Sequence, residues 1–410
     1  MKFKKMKKTK LKTIGLIQAH YLGWNGAPDF SLSMIDKKYA IEYVIERLKS
    51  IPEIEEIVIA VPDDQKNEIF KKIALTHGIS CFFGSKENVF LRSKKAVDLV
   101  HGNIIIHVMG QHCFIDVVLL RKMVGLLHST GSDYVSLPDD FTPYFAGKIY
   151  NSNLLEQVEN EINLLTSSQR EISCARFFAF VENNRTKFNT TIFNDLPEYS
   201  KEYLEKVREM AYNIFVDDRM HVTPQEASVI SSPLFESYEF ATKSMRPSSV
   251  VLDIACGDGF GCKIMSPHVA KVVGLDINKE LIEKNRKNNV TANILYEEGN
   301  ACALDYHDQS FDAITGMEIV EHISLDKVKD FISEMRRILK PDGVFICSTH
   351  QNSTGSIPVV PWHEKEYSLS EFKLILGKSF PNVKIFGSKS GGPITEDELG
   401  QKMIAVCKLD

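Results

Sequence analysis

Long apolar runs are missing from this chain of 410 residues. The longest, such as Asn103–Met109 and Val117–Leu120, fall well short of the roughly 20 residues that cross a bilayer, so no membrane span is expected. A secretory leader is not expected either, because the lysine-rich start Met1–Lys12 is followed only by Ile14–Ala19, an apolar segment of strand length. Paired cysteine motifs are also missing. Eight cysteines stand at 81, 113, 174, 256, 262, 302, 347 and 407, with no Cys-x-x-Cys and no histidine set at zinc spacing. They read as small core residues of a protein in a reducing cytoplasm, and neither disulfides nor a metal is expected. An excess of positive charge is absent too. The formal charge is −5, and setting aside the seven lysines of the start leaves −12 on the remainder, which argues against nucleic acid as the main partner. That lysine run itself reads as a solvated end.

What is present is ordinary globular composition, 43% hydrophobic and 25% charged, at a length of two or three domains. Short β-branched runs at Thr13–Gln18, Glu56–Val61, Ile79–Phe83, Asn103–Val108 and Asp133–Leu137 alternate with helical patterns at Ala40–Leu48, Gln65–Leu75, Ser93–Val100 and Val117–His128. A second alternation runs through Val250–Ala255, Lys271–Asp276, Asn293–Glu298, Phe311–Thr315 and Gly343–Thr349, with helices at Lys279–Asn288, Leu325–Leu339 and Ser370–Gly377. Strand–helix alternation implies mostly parallel sheets covered on both faces. The fold class expected is therefore α/β, with two doubly wound domains. Between them, Leu154–Leu165 and Ser200–Ile214 read as amphipathic helices. The expected division is a basic tail over 1–12, a first domain over 13–216, a linker and pre-domain helix over 217–249, and a second domain over 250–410.

The strongest local signal is Val250-Val251-Leu252-Asp253-Ile254-Ala255-Cys256-Gly257-Asp258-Gly259-Phe260-Gly261, an apolar strand entering a glycine turn and then a helix. Glycines there permit positive φ and let backbone approach a ligand, and the helix start offers unpaired N–H groups. The G-x-G-x-G spacing departs from the dinucleotide fingerprint. The next strand ends in Asp276, a carboxylate able to accept from both hydroxyls of a ribose. Glu298-Gly299-Asn300-Ala301, Ser310-Phe311-Asp312-Ala313-Ile314 and Leu339-Lys340-Pro341-Asp342-Gly343 then follow in order.

In this order these residues resemble the class I S-adenosylmethionine-dependent methyltransferases, over roughly Val222–Asp410. Met317-Glu318-Ile319-Val320-Glu321-His322-Ile323, Cys347-Ser348-Thr349-His350 and Pro361-Trp362-His363-Glu364-Lys365-Glu366-Tyr367 look like the branch that acts on glycans and small metabolites. The resemblance implies S-adenosyl-L-methionine as cofactor. Carried over by position, it places Asp253 and the turn Gly257–Gly259 at the methionine moiety, Asp276 at the ribose, Ile277 at the adenine face, and Asn300 with Ala301 at the adenine amine. Ala255 and Cys256 belong to the same turn and equally read as packing. Asn300 departs from the acid that the family often carries there, exchanging an acceptor for an amide.

Methyl transfer from a sulfonium is an in-line displacement with a neutral leaving group, so alignment and exclusion of water matter most and no metal is required. A sugar hydroxyl is a poor nucleophile and benefits from a general base. Glu318, Glu321 and His322 follow the fourth strand, at the edge where open α/β sheets bind ligands, and His350 and His363 follow the fifth. Glu318 and His322, four apart, would share a face on a helical turn. Trp362 beside His363 reads as a sugar platform next to a base, or equally as a plug beside an exposed imidazole. His363 is placed before His322 as the base.

Ile14-Gly15-Leu16-Ile17-Gln18-Ala19, Glu42–Leu48, Glu56–Val61, Gly78–Gly84 with Glu87-Asn88-Val89, and Val108-Met109-Gly110-Gln111 followed by Ile115-Asp116 resemble the cytidylyltransferases that activate acidic sugars and the related spore-coat polysaccharide proteins, over about Thr13–Val216. The family's loop after the first strand holds triphosphate with arginines and a lysine, whereas His20–Asp29 contains neither. Its magnesium-binding acid appears here as Gln111, and an amide is a poor ligand for a hard cation. The expectation is a nucleotidyltransferase-like, Rossmann-type domain that has lost nucleotidyl transfer, with Asp116, Asp29 and His20 in new roles as the alternative. His107 and His112 read as packing or polar edge residues.

Together these readings predict a cytoplasmic enzyme that methylates a sugar, sugar nucleotide or glycan precursor in surface polysaccharide synthesis. The alternatives are a bifunctional cytidylyltransferase and methyltransferase, a methyltransferase of a non-sugar metabolite or a protein, and a non-catalytic regulator that binds S-adenosylmethionine.

Overall fold

The computed structural model describes residues 11–22, 29–138, 141, 143–211, 214, 233–352, 358, 360, 362–387, 394–396 and 402–409. Most of the basic start, most of the expected linker and the centre of the loop after the first strand lie outside the described residues. Contacts divide the chain into two compact units, one drawn from Met1–Tyr21, Asp29–Pro138 and Pro143–Pro197, the other from Leu22–Pro28, Asp139–Thr142 and Glu198–Asp410.

Among the described residues the main sheet of the first unit has seven strands, β1 Thr13–Gln18, β2 Ile54–Pro62, β3 Ser80–Gly84, β4 Ile104–Met109, β5 Tyr134–Ser136, β6 Lys148–Asn151 and β7 Thr190–Ile192, in the order β3-β2-β1-β4-β6-β5-β7, and a small hairpin pairs Met34–Ile35 with Lys38–Tyr39. β1 pairs in parallel with β2 and β4, so the chain winds outward to β3, returns and continues on the other side of β1. β6 runs antiparallel to both β4 and β5. Ile14, Leu16, Val58, Ala60 and Ile105 on one face pack against helices Val89–Leu99 and Ser152–Asn163 in a core cluster. Gly78 and Gly131 end two helices with φ of 61° and 67°, conformations that a side chain would oppose.

Among the described residues the second unit holds eight strands: β8 Val250–Ile254, β9 Lys271–Asp276, β10 Ile294–Glu298, β11 Phe311–Gly316, β12 Leu339–His350, β13 Asn382–Gly387, β14 Thr395–Glu396 and β15 Lys402–Lys408. Their order is β10-β9-β8-β11-β12-β15-β13-β14, with the first five mutually parallel and β15 antiparallel to β12 and β13. Because successive side chains point to opposite faces, the apolar strands build two cores. Leu252, Ile254, Leu275, Ile314 and Phe345 pack on one face, while Val251, Val272, Ala313 and Ile346 pack on the other. The α/β class with two wound sheets is thus present as expected. The sequence pattern missed the antiparallel strands β6, β13, β14 and β15 and the short β7, which do not continue the strand–helix alternation on which that pattern rests. By contacts, the helix Lys201–Ala211 groups with the second unit.

In both sheets the chain reverses its winding direction beside the first strand, between β1 and β4 and between β8 and β11. Open α/β sheets bind ligands in the crevice at the carboxyl ends of such strands. The glycine turn follows β8 and the Glu318–His322 segment follows β11, so each flanks that reversal.

Candidate functional site

The turn after β8 holds three residues in the left-handed region, Ala255 at φ 55°, Gly257 at 53° and Gly259 at 74°. Ala255 is the costly one, because its Cβ opposes that conformation, and such strain persists where surrounding structure enforces it. The enforcement is visible. Cys256 N donates to Leu275 O at 3.1 Å, Gly257 N donates to Asp276 Oδ2 at 2.9 Å, and Asn285 Nδ2 donates to Gly257 O at 2.7 Å. Gly259 is fixed by space as well as by φ, since a Cβ there would lie 2.2 Å from the Tyr296 hydroxyl oxygen.

Asp276 sits at the end of β9, half-buried, its Oδ1 accepting from Asn278 N at 2.8 Å. Ile277 beside it is 72% exposed, an apolar surface next to the carboxylate. Asn300 is exposed and accepts from Cys302 N at 2.9 Å, with Ala301 half-buried next to it. Ala255 is exposed, whereas Cys256 turns its side chain into the core, so its offer to a ligand is backbone alone.

Asp253 lies near the end of β8. Fully buried, it accepts at Oδ1 from Tyr238 OH (3.1 Å) and Thr315 Oγ1 (2.7 Å), and at Oδ2 from Cys262 Sγ (3.4 Å). Its carboxylate therefore ties the end of β8 to the Tyr238 helix, to Cys262 in the helix after the turn, and to β11. Burial raises its pKa to about 6 against the lowering effect of those three donors.

The segment after β11 behaves differently from the expected helical turn. Glu318 has φ 54°, and a short 3₁₀ turn begins only at Val320, so Glu318 and His322 diverge. Glu318 N donates to Ser348 Oγ at 3.0 Å, and the carboxylate meets Ser348 Oγ (2.6 Å), His350 Nδ1 (2.9 Å) and Lys402 Nζ (3.4 Å). Burial pushes Glu318 upward, but Lys402 and His350 outweigh it and hold the carboxyl well below the ordinary range. His350 is shifted the other way: burial favours the neutral ring, yet Glu318 and Glu321 raise it well above the ordinary imidazole value.

His322 is exposed, and its Nδ1 lies 3.2 Å from Trp362 O. His363 is only 3% exposed; its Nδ1 lies 2.9 Å from Glu366 Oε1, and its carbonyl accepts from Arg208 Nη2 at 2.8 Å. The two rings stand 5.0 Å apart at 82°, edge to face. The structure therefore brings His322, His363 and Trp362 together and keeps Glu318 in a neighbouring ion network. The reading of His363 as an exposed imidazole is corrected, because Glu366 and Arg208 tie it in. Sequence reasoning assigned no role to Lys402, Arg208 or Glu366. Lys402 enters through the antiparallel partner of β12, and Arg208 lies 155 residues from its acceptor, so neither spacing carries a signal.

At the corresponding edge of the first sheet, Gln111 follows β4, and its buried Oε1 meets no hydrogen-bond donor among the described residues. Asp116 accepts from Val118 N (2.8 Å) and Leu119 N (3.1 Å) as a helix cap, and Asp29 caps the short turn Phe30–Leu32 through Ser31. His107 is buried among Tyr150, Phe177 and Phe178, which pushes its pKa down to about 3, and burial pushes His112 down to about 4.

Residues 252–347 match the family model described as a methyltransferase domain, and residues 29–219 match that described as cytidylyltransferase. The chain joins a cytidylyltransferase-family domain to a methyltransferase domain. A probable S-adenosylmethionine-dependent methyltransferase of Mycolicibacterium smegmatis is 31% identical over 130 residues, 31% of this chain and 49% of that protein. The uncharacterized methyltransferase YcgJ of Bacillus subtilis is 31% identical over 147 residues, 32% of this chain and 56% of its own length. The chain thus spans about half the length of these relatives. Among solved structures, a cytidylyltransferase from Leptospira borgpetersenii aligns at 21% identity and TM-score 0.43, covering 54% of this chain and 93% of that one. YcgJ aligns at 23% identity and TM-score 0.33, covering 42% and 98%.

The methyltransferase match implies S-adenosylmethionine as the cofactor, and the residues present fit it. A Cβ built on Gly257 meets nothing within 4 Å, so the turn is open where a ligand approaches it. Asp276 and exposed Ile277 pair a carboxylate with an apolar face, as a ribose joined to a base requires. When bound, the cofactor supplies an electrophilic methyl group. The turn Ala255–Gly259 and Asp276 are the residues that would hold and orient it. No helix among the described residues is long and apolar enough to cross a membrane.

Proposed function

We propose that the chain is an S-adenosylmethionine-dependent methyltransferase of the cytoplasm that O-methylates a sugar, sugar nucleotide or glycan precursor for surface polysaccharide. The observation that carries this reading is the pairing, across one sheet reversal, of the strained open turn at Ala255–Gly259 with the histidine pair His322 and His363 beside Trp362. The turn and Asp276 hold the methyl donor. The histidine pair serves an acceptor that must shed a proton, which a hydroxyl does and a thioether or carboxylate does not. Trp362 offers the apolar face on which a sugar ring packs.

The amino-terminal domain has, on this proposal, lost nucleotidyl transfer and serves in binding or docking. Its support is chemical: Gln111 stands at the magnesium position, and both nearby acids, Asp116 and Asp29, are engaged as caps. The uncharged centre of the loop, 23–28, lies outside the described residues.

Isothermal calorimetry with S-adenosylmethionine and, separately, with cytidine triphosphate plus magnesium tests both halves. Binding of the first alone supports the reading. Failure to bind the first sinks it, and binding of the second restores the bifunctional alternative. Transfer of labelled methyl to sugar nucleotides, but not to protein or amine acceptors, tests the substrate class.

A further inference from the structure

Glu321, His322 and His363 each bring one donor atom to within 4.8 Å of the other two. The manner in which each is held matters more than the proximity. Glu366 Oε1 and Trp362 O can only accept, so the Nδ1 atoms facing them at 2.9 and 3.2 Å carry the ring protons. In both rings Nε2 is then the basic nitrogen. A histidine whose Nδ1–H is fixed by a carboxylate or a backbone carbonyl is the arrangement that orients imidazole toward a metal.

Glu321 supplies the independent observation. It is completely buried, and its Oε1 faces His350 Nδ1 at 3.3 Å. Its Oε2, also buried, makes no hydrogen bond with any described residue. Leaving a carboxylate oxygen dry and without a donor is costly unless a cation meets it. A second group, Glu318, Glu321 and His350, has similar proximity, but there Lys402, His350 and Ser348 already satisfy Glu318. That leaves the group with His322 and His363 as the candidate for a cation.

We propose that Glu321 Oε2 and the Nε2 atoms of His322 and His363 bind one divalent transition-metal ion, with Glu366 and the Trp362 carbonyl orienting the two rings. Two imidazoles and one carboxylate suit zinc, manganese or iron(II), and three protein ligands leave positions for a substrate oxygen. Resting on the hydroxyl-methylation reading above, the ion takes the acceptor oxygen as a further ligand and lowers its pKa, so the proton is lost to solvent without a histidine base. The sequence reading expected no metal, because Glu321 and His322 are adjacent while the third ligand stands 41 residues beyond His322.

The test is calorimetric titration of the full chain, stripped by chelator and freed of it, with Zn²⁺ and with Mn²⁺. One ion per chain is expected from at least one of them. His322→Ala, at an exposed position, and the near-isosteric Glu321→Gln should each weaken that binding at least about tenfold, while S-adenosylmethionine affinity stays at the wild-type value. Binding of neither ion to the wild type, or unchanged affinity in both variants, overturns the site. A chain that binds the ion through these residues yet methylates no hydroxyl acceptor supports the site and sinks the acceptor reading. Hydroxyl methylation at full rate in chelator, with no ion bound, supports the acceptor reading and overturns the ion's role in it.

Discussion

Asp253 permits a quantitative test of how the cofactor turn is supported. Its pKa is raised from 3.8 to about 6 because the carboxyl is wholly buried on the face of β8 away from solvent. A folded-state pKa above the unfolded one means that the folded protein keeps a proton over this interval that the unfolded chain releases. The contribution to stability is therefore complete below about pH 3.8, is lost as pH rises through 6, and amounts to about 3 kcal/mol. Asp253→Asn mimics the protonated form. Its carbonyl oxygen can keep Tyr238 and Thr315 as donors, and its amide can turn to Cys262 Sγ, a weak acceptor. The variant should therefore be at least as stable as the wild type at pH 7 and should lose this component of the pH dependence between 4 and 6. Urea unfolding read by pulsed hydrogen exchange of peptides covering 250–276 isolates this domain's transition from the other's. If Asp253→Asn loses more than about 1 kcal/mol at pH 7, or if the two proteins keep the same pH slope, the carboxylate is stabilising as an anion and the argument fails.

Other perturbations follow from the same geometry. Asp276→Ala removes acceptors for the ribose and for Gly257 N–H, and S-adenosylmethionine affinity should fall by roughly 10- to 100-fold in calorimetry, as expected for hydrogen bonds to a charged group; unchanged affinity removes the residue from the site. Gly259→Ala places a Cβ 2.2 Å from the Tyr296 hydroxyl at φ 74°, so both the melting temperature and cofactor affinity should drop, and wild-type values for both would refute the strained-turn account. In the first domain, burial lowers the His107 pKa from 6.5 to about 3, so stability is full above 6.5 and falls as pH drops toward 3, by about 1.4 kcal/mol per pH unit. His107→Leu should abolish that slope in peptides covering 104–109. Glu366→Gln weakens the hold on His363 Nδ1 and should slow methyl transfer while leaving cofactor affinity intact; turnover equal to the wild type would show that the Glu366–His363 contact is structural.

Local pattern alone was enough to read the winding of both sheets and the glycine turn after β8. Period-two apolar strands separated by helical patterns dictate parallel layers, and a glycine turn opening a helix needs only neighbouring residues to be recognised. Asp276 was legible for the same reason, since it ends a strand whose position beside β8 follows from the winding order. Tertiary structure alone decided which way the acids and histidines face. Asp253 lies in the same short motif, but its partners Tyr238, Cys262 and Thr315 come from three other elements. Glu318 and His322, four apart, are separated by one left-handed residue that local pattern does not disclose. Arg208 reaches the Trp362–Glu366 loop from 155 residues away, and Lys402 meets Glu318 from an antiparallel strand that the alternation did not announce. Short-range periodicity reports which residues share a face, whereas the charge state of His350, the orientation of His322 and His363, and the dry oxygen of Glu321 depend on partners that only folding brings within 3 or 4 Å.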